Sequence, residues 1–229
     1  KVPTQWKTSK TVLLFKKGDL HDIGNYRPIC LLSVVYKLFT RVVLSKIDRT
    51  LNDGQPCKQE GFREGFSAID HIHTITRLTE VLREDKRPLC LTFIESQRTF
   101  DSIEIEAVME TLESQGVCTQ NVEIFEELYK NFTIKISLLY NYINVDVNRG
   151  VRQGDTIPAK LFTATLQNVM RTFEWDNTGV KIDCQQVHHL CLADDIVLVG
   201  PNISQTECMF SDFDKACGNN GLRVNLKKT

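Results

Sequence analysis

Long apolar runs are missing from this chain: they stop at about four or five residues, far short of the ~20 that a membrane-spanning helix needs. Paired metal-binding cysteines are missing too. Eight cysteines, at 30, 57, 90, 118, 184, 191, 208 and 217, lie far apart with no CxxC among them, which argues against a zinc site or a disulfide framework and for reduced thiols. No charged leader runs into an apolar stretch at the start, so the expected location is intracellular, cytoplasmic or nuclear. There is no internal repeat, low-complexity tract or obvious linker. An overall positive excess is also lacking, since the net charge is −1 over 229 residues. That average hides a split: residues 1–50 carry ten Lys/Arg against three Asp/Glu, and the remaining 179 carry eighteen against twenty-six. A basic segment of that kind suits phosphates, although a solvated basic face has the same composition.

What is present is a soluble-type pattern, 41% hydrophobic and 25% charged, with helical and strand periods interleaved. Residues 11–15 read as a strand that ends at the turn Lys16-Lys17-Gly18-Asp19. Apolar positions at 31, 34, 35, 38, 39, 42, 43 and 47 predict an amphipathic helix over 31–51, with Ser33 as its cap. Further helices are expected over 68–82, 101–113, 122–130 and 203–217, and another after Pro158 to about 173. Strands are expected over 89–94 and 222–226, with a hairpin over 133–139 and 143–147. Antiparallel hairpins among helices point to an α+β fold rather than a doubly wound sheet.

The stretch HLCLADDIVLVG, 189–200, sets Asp194 and Asp195 between two apolar runs. A strand–turn–strand reading aims both carboxylates out of one end of a sheet. Adjacent like charges repel, and either solvent at a hairpin tip or a divalent cation would relieve them. The run LCLTFIE, 89–95, ends in Glu95. Were the two strands neighbours, Glu95, Asp194 and Asp195 would form an acidic cluster of the kind that clamps two metal ions in phosphoryl transfer; a strand-end surface charge is the other reading of Glu95.

Taken in order, KKGDLHDIGNYRPICLLSVVYKLFTRVV (16–43), QEGFREGFSAIDHIHTI (59–75), FIESQRTFDSI (93–103), RGVRQGDTIPAKLFT (149–163), LADDIVLV (192–199) and GLRVNLKKT (221–229) resemble the reverse transcriptase domain of non-LTR (LINE-type) retrotransposons. The resemblance implies a right-hand polymerase, fingers over 1–85 and palm over 86–229, with a small antiparallel palm sheet packed on helices and the thumb absent. It implies RNA-directed DNA polymerisation, two-metal nucleotidyl transfer onto a primer 3′ end, with an RNA template, a DNA primer and dNTPs as partners, no membrane, and two Mg²⁺ ions, for which Mn²⁺ could stand in. By the same resemblance Asp194, with Asp195 beside it, is a metal-binding aspartate, and Glu95 stands where the family has its first metal-ligating aspartate. Phe100 matches the bulky residue that crowds the sugar 2′ position. Gln153 and Gly154 match the segment that touches the templating base and incoming nucleotide. Lys16 or Lys17 with Arg27 would hold the triphosphate, Arg63 would meet template backbone, and Lys228 would sit near the leaving pyrophosphate.

Some residues depart from the family pattern. Glu95 keeps the charge of an aspartate but adds a methylene, moving its oxygens by about 1 Å, a misplacement that can slow a positioned reaction roughly a hundredfold. Thr99 and Glu60 stand where alanine is usual, and Ile157-Pro158-Ala159 replaces a serine–proline pair. A catalytically silent RNA-binding remnant is therefore the second reading. A nucleotidyl cyclase, which shares the acidic cluster, is disfavoured by RQGD and the basic motifs.

Overall fold

The computed structural model describes residues 2–53, 68–96, 99–138, 141–155, 157–173, 175, 178–182 and 185–225. The chain divides into two compact units, each discontinuous in sequence: residues 1–53 with 103–162, and residues 54–102 with 163–229. Among the described residues no helix is long and apolar enough to cross a membrane.

The first unit is built on a four-stranded sheet in the order β2 (Tyr26–Leu31), β1 (Thr8–Phe15), β4 (Phe132–Leu138), β5 (Asn141–Val147). Strands β1 and β2 pair antiparallel, with Phe15 opposite Tyr26 and Lys10 opposite Leu31. The hairpin of β4 and β5 joins β1 through a parallel β1–β4 ladder. β2 went unanticipated because Pro28 interrupts it. An edge strand tolerates proline, whose missing N–H would weaken an interior one.

Helix α1 (Val34–Asp53) starts where Ser33 Oγ accepts from the Tyr36 N–H at 3.2 Å, the expected cap. Its inward face differs from the expected one. Tyr36, Thr40, Val43, Ile47 and Leu51 are buried, while Val34, Val35, Leu38 and Val42 are exposed. The helix carries two apolar stripes, and the buried one includes a threonine and a tyrosine that pattern reading passes over.

The helix expected over 101–113 is broken in two, α3 (Thr99–Ser102) and α4 (Ile105–Ser114). Between them Ile103 is fully buried and its carbonyl accepts from the Gly150 N–H at 2.8 Å, while Glu104 is extended. The chain passes from one unit to the other at this break. α5 (Thr119–Tyr129) follows, and Lys7 of the N-terminal 3-10 turn (Thr4–Lys7) bonds its Glu127 at 2.7 Å. Helix α6 (Ile157–Arg171) holds Pro158 at its second position, where no intrahelical N–H is required.

In the second unit the sheet order is β3 (Cys90–Glu95), β9 (Asp195–Gly200), β8 (His189–Leu192). β3 pairs antiparallel with β9, and β9 with β8. The central strand β9 reads as a continuous apolar run because both faces are covered. Val199 packs with Leu78 and Leu82 of α2 (Ala68–Glu84) and with Val180. On the alternate face, a Cβ at Gly200 would collide with Thr206 of α7 (Ile203–Asn219). Leu198 and Val199 are fully buried, each worth about 1.5–3 kcal/mol relative to exposure. A short hairpin, β6 (Val180–Ile182) with β7 (Gln185–Val187), completes the unit. Three-residue strands lie below what periodicity can detect. The strand expected over 222–226 reduces, within the described residues, to one bridge between Val224 and Ser96.

Candidate active site

The two apolar runs singled out in the sequence are neighbouring strands, and their register settles where the acids stand. Glu95 lies directly opposite Asp195, as Ile94 does opposite Ile196. Opposed residues of an antiparallel pair point to the same face, with Cβ atoms about 4.5–5.5 Å apart, where like charges repel. That face carries a cleft of about 410 Å³ lined by Glu95 and Asp195 together with His71, Ile72, Phe93 and Leu192. Asp195 is exposed and Glu95 half-buried, so both acids are open to solvent, which screens part of their repulsion. His71 contributes by holding α2 in place, its Nε2 lying 3.0 Å from the Cys191 carbonyl oxygen.

Asp194 occupies the two-residue turn between β8 and β9 with Ala193, whose φ is +56°. An alanine in the left-handed region costs roughly 1–2 kcal/mol, so the packed strands on either side hold the tip in a strained form. Thr99 Oγ1 donates to Asp194 Oδ2 at 3.4 Å. Thr99 is buried, and Phe100 follows it on α3, half-buried. The backbone beyond β3 is tied down as well, the Asn225 N–H donating to the Glu95 carbonyl at 2.8 Å.

Among the described residues no three His, Cys, Asp or Glu side chains gather closely enough to form a metal cage by themselves. A Mg²⁺ ion does not require one, since it commonly takes one or two carboxylates and completes its octahedron with water and substrate phosphates. Opposed carboxylates at a sheet end, all hard oxygen donors, match that demand in donor chemistry.

The remaining expected residues with described positions belong to the first unit. Lys16, Lys17 and Arg27 are all exposed at the connecting end of the β1–β2 hairpin. Arg27 lies opposite Leu14, and the Lys16 N–H donates to the Asn25 carbonyl at 2.9 Å. Gln153 and Gly154 form a short loop against the free edge of β2, where the Cys30 N–H donates to the Gln153 carbonyl at 2.8 Å. Gly154 has φ +111°, and a Cβ there would stand 2.6 Å from the Cys30 carbonyl oxygen. Arg63 and Lys228 lie outside the described residues.

Sequence reasoning passed over the residues beneath that loop. Arg152 is 2% exposed, and a buried charge needs partners. Its guanidinium donates to the Trp6 carbonyl at 2.8 Å and to the Leu128 carbonyl, and lies 3.9 Å from the Phe132 ring centroid and 5.1 Å from that of Tyr36. On the far side of the loop Asp155 Oδ1 lies 2.9 Å from Thr40 Oγ1. Burial pushes the Tyr36 and Tyr129 phenols well above their usual range, and the charge of Asp155 adds to both shifts while Arg152 opposes them. Arg152 and Asp155 bracket Gln153-Gly154 in the RQGD segment, the one sequence signal that pointed to them.

Residues 15–229 match the family described as reverse transcriptase (RNA-dependent DNA polymerase). Curated relatives include the Pol polyproteins of the type-1 retrotransposable element R2 from Nasonia vitripennis, 22% identical over 99% of this chain and 22% of the relative, and from Popillia japonica, 23% identical over 100% and 32%. The probable RNA-directed DNA polymerase from transposon BS of Drosophila melanogaster is 25% identical over 70% of this chain and 18% of its own length. The chain thus spans between about a fifth and a third of these relatives. Among solved structures, apo telomerase from Candida tropicalis, truncated from its C-terminal domain, superposes with a TM-score of 0.69 over 98% of this chain and 49% of that one, at 15% identity. Telomerase from Candida albicans in complex with a fragment of telomeric RNA gives 0.68 over 99% and 42%, at 14% identity. These likenesses carry the fold, the fingers and palm of a right-hand polymerase in which β3-β9-β8 is the small antiparallel palm sheet. The chain belongs to the reverse transcriptase (RNA-dependent DNA polymerase) family and is a reverse transcriptase domain of the non-LTR retrotransposon type.

Proposed function

We propose that this domain extends a DNA primer on an RNA template, adding dNTPs to the primer 3′ end by nucleotidyl transfer at Glu95, Asp194 and Asp195. The observation that carries the reading is the register of β3 and β9, which sets Glu95 opposite Asp195 beside the hairpin turn that bears Asp194. Fingers work is assigned to residues 1–85 and palm work to 86–229, a division by sequence that the compact units cross at residues 103–162.

In this reading the three carboxylates are ligands for two divalent ions, Mg²⁺ in the cell and Mn²⁺ as a substitute. Bound there, such ions lower the pKa of the attacking hydroxyl and offset the charge of the leaving pyrophosphate. The chain's own residues do the rest. Thr99 restrains the Asp194 carboxylate through its hydroxyl. Phe100 limits the space at the sugar 2′ position and so favours deoxynucleotides. Arg27 makes the paired donor contacts that suit phosphate oxygens, with Lys16 and Lys17 adding charge. Gln153 and Gly154 meet the base pair being formed, glycine allowing close backbone approach. Lys228 attends the leaving group, and Arg63 the template backbone.

A primed RNA template with labelled dNTPs tests the proposal. Extension should require a divalent cation, be faster with Mn²⁺ than with Mg²⁺, and vanish in Asp194→Asn. Cation-independent incorporation, or an Asp194→Asn protein as active as its parent, would overturn it. RNA binding with no incorporation under either cation would favour the silent remnant instead.

A further inference from the structure

Gln153 and Gly154 are exposed enough to meet a ligand, yet the residues on both sides of them are anchored inside the first unit. Arg152 reaches back to two backbone carbonyls from separate parts of the chain, Trp6 near the start and Leu128 in α5. A planar guanidinium can serve both at once, which a lysine ammonium on a flexible stem does not reproduce. The rings of Tyr36, Tyr129 and Phe132 enclose it, at 5.1, 5.5 and 3.9 Å. Past the glycine, Asp155 meets Thr40, a residue with no solvent exposure, at 2.9 Å. Between these anchors the Gln153 carbonyl accepts from Cys30 on β2, and the Gly154 backbone presses on the Cys30 carbonyl with no room for a side chain.

We propose that Arg152, Asp155 and Thr40 are positioning residues that hold the Gln153–Gly154 loop against β2, so that nucleotide meets a preformed backbone; the nucleotide part of this rests on the function proposed above. Four observations converge on it: a buried cation, an acid held by a buried hydroxyl, a closed backbone hydrogen bond, and a glycine that a methyl group would displace. Thr40 is the sharpest handle. Its hydroxyl lies within bonding distance of Asp155 and also of the Lys37 carbonyl of its own helix, at 3.1 Å. Removing it therefore takes away one of the bonds that hold Asp155, whose carboxylate also meets the Tyr36 phenol, and leaves the Arg152 contacts to the Trp6 and Leu128 carbonyls in place. Ordering the loop before binding lowers the entropy that binding must overcome, so a freed loop weakens affinity even when every contacting residue is intact.

The test compares the full chain with Thr40→Val, of nearly the same shape, and Thr40→Ser, which restores the hydroxyl. Hydrogen exchange at the Cys30 amide reports closure of the loop, because that N–H donates to Gln153. Losing a hydrogen bond to a charged group should raise this exchange by about tenfold or more, with the β3–β9 amides unchanged, and Thr40→Ser should return it to near the parent rate. A fluorescent dNTP analogue with Mg²⁺ should bind Thr40→Val about tenfold more weakly and Thr40→Ser within about twofold of the parent. Exchange that rises uniformly through the first unit would mean a packing defect and would overturn the proposal, as would an unchanged Cys30 amide. A local rise in a protein whose parent binds no dNTP would uphold the frame and sink the nucleotide reading.

Discussion

Replacing Gly154 by alanine should destabilise the first unit by about 1.5–3.5 kcal/mol, and the structure indicates why. The residue sits at φ +111°, and moving an L-residue into such left-handed territory costs roughly 1–2 kcal/mol. The new methyl would also stand 2.6 Å from the Cys30 carbonyl oxygen. That atom is backbone, so the strand or the loop must move, and the Cys30–Gln153 hydrogen bond at 2.8 Å is the first to go, worth ~0.5–1.5 kcal/mol. At about 2–4 °C per kcal/mol for a chain of this size, the unfolding midpoint should fall by roughly 3–14 °C. Gly116→Ala is the control. Its φ is +79°, yet nothing lies within 4 Å of where its Cβ would be, so strain alone acts and the loss should be about 1–2 kcal/mol. Thermal unfolding followed by circular dichroism measures both variants, and hydrogen exchange locates the change. Equal losses in the two would refute the claimed contact with Cys30. A Gly154→Ala protein as stable as its parent would refute the loop geometry altogether.

Burial and the nearby Asp214 push the Cys217 thiol up to about 12, so at pH 8 iodoacetamide should label the exposed Cys118 and Cys208 and spare Cys217 until the protein unfolds; mass spectrometry that finds Cys217 labelled as fast as Cys208 would contradict its placement. Hydrogen bonding to Lys7, and then its charge, holds the Glu127 carboxyl below the usual range. A folded-state value below the unfolded one adds stability above the unfolded value and loses it as pH falls through the folded value, so Glu127→Gln should slightly flatten the acid limb of the stability profile below about pH 4.5, and salt should mask the effect. If the basic segment 1–50 carries the RNA affinity, binding should weaken linearly in log salt and Arg27→Glu should weaken it further, while Glu95→Ala leaves it nearly unchanged; titration by fluorescence anisotropy at several salt concentrations decides, and salt-independent binding would remove these residues from the interface.

Much of the palm could be read from the residues before any geometry. The apolar runs of 89–95 and 189–199 are nearly uninterrupted and each marked by acids, so their pairing followed from chemistry as much as from pattern, and Glu95 does stand opposite Asp195, beside the Ala193-Asp194 turn. α2, α5 and α7 came within a few residues of their expected bounds because their buried faces repeat at helical spacing. The failures share a physical cause, which is that hydropathy does not say which surface wins a competition. α1 has two apolar stripes, and tertiary contact with Arg152 and Asp155 selects the more polar-looking one. The break at Ile103 arises because Gly150, distant in sequence, takes its carbonyl. Arg152 reads as a surface charge in any scale, and the carbonyls of Trp6 and Leu128 together with the rings of Tyr36, Tyr129 and Phe132 explain its burial.

In the proposed function Glu95 and Asp194 work at one metal-dependent site, with Glu95 reaching about a methylene too far. The rate of single-nucleotide extension on a primed RNA template, compared among the parent, Glu95→Asp and Asp194→Asn, decides whether they do. The parent should extend slowly, Glu95→Asp should be faster by one to two orders of magnitude, on the scale of a ~1 Å misplacement, and Asp194→Asn should not extend at all. Equal rates in the parent and Glu95→Asp, or sustained extension by Asp194→Asn, would contradict it.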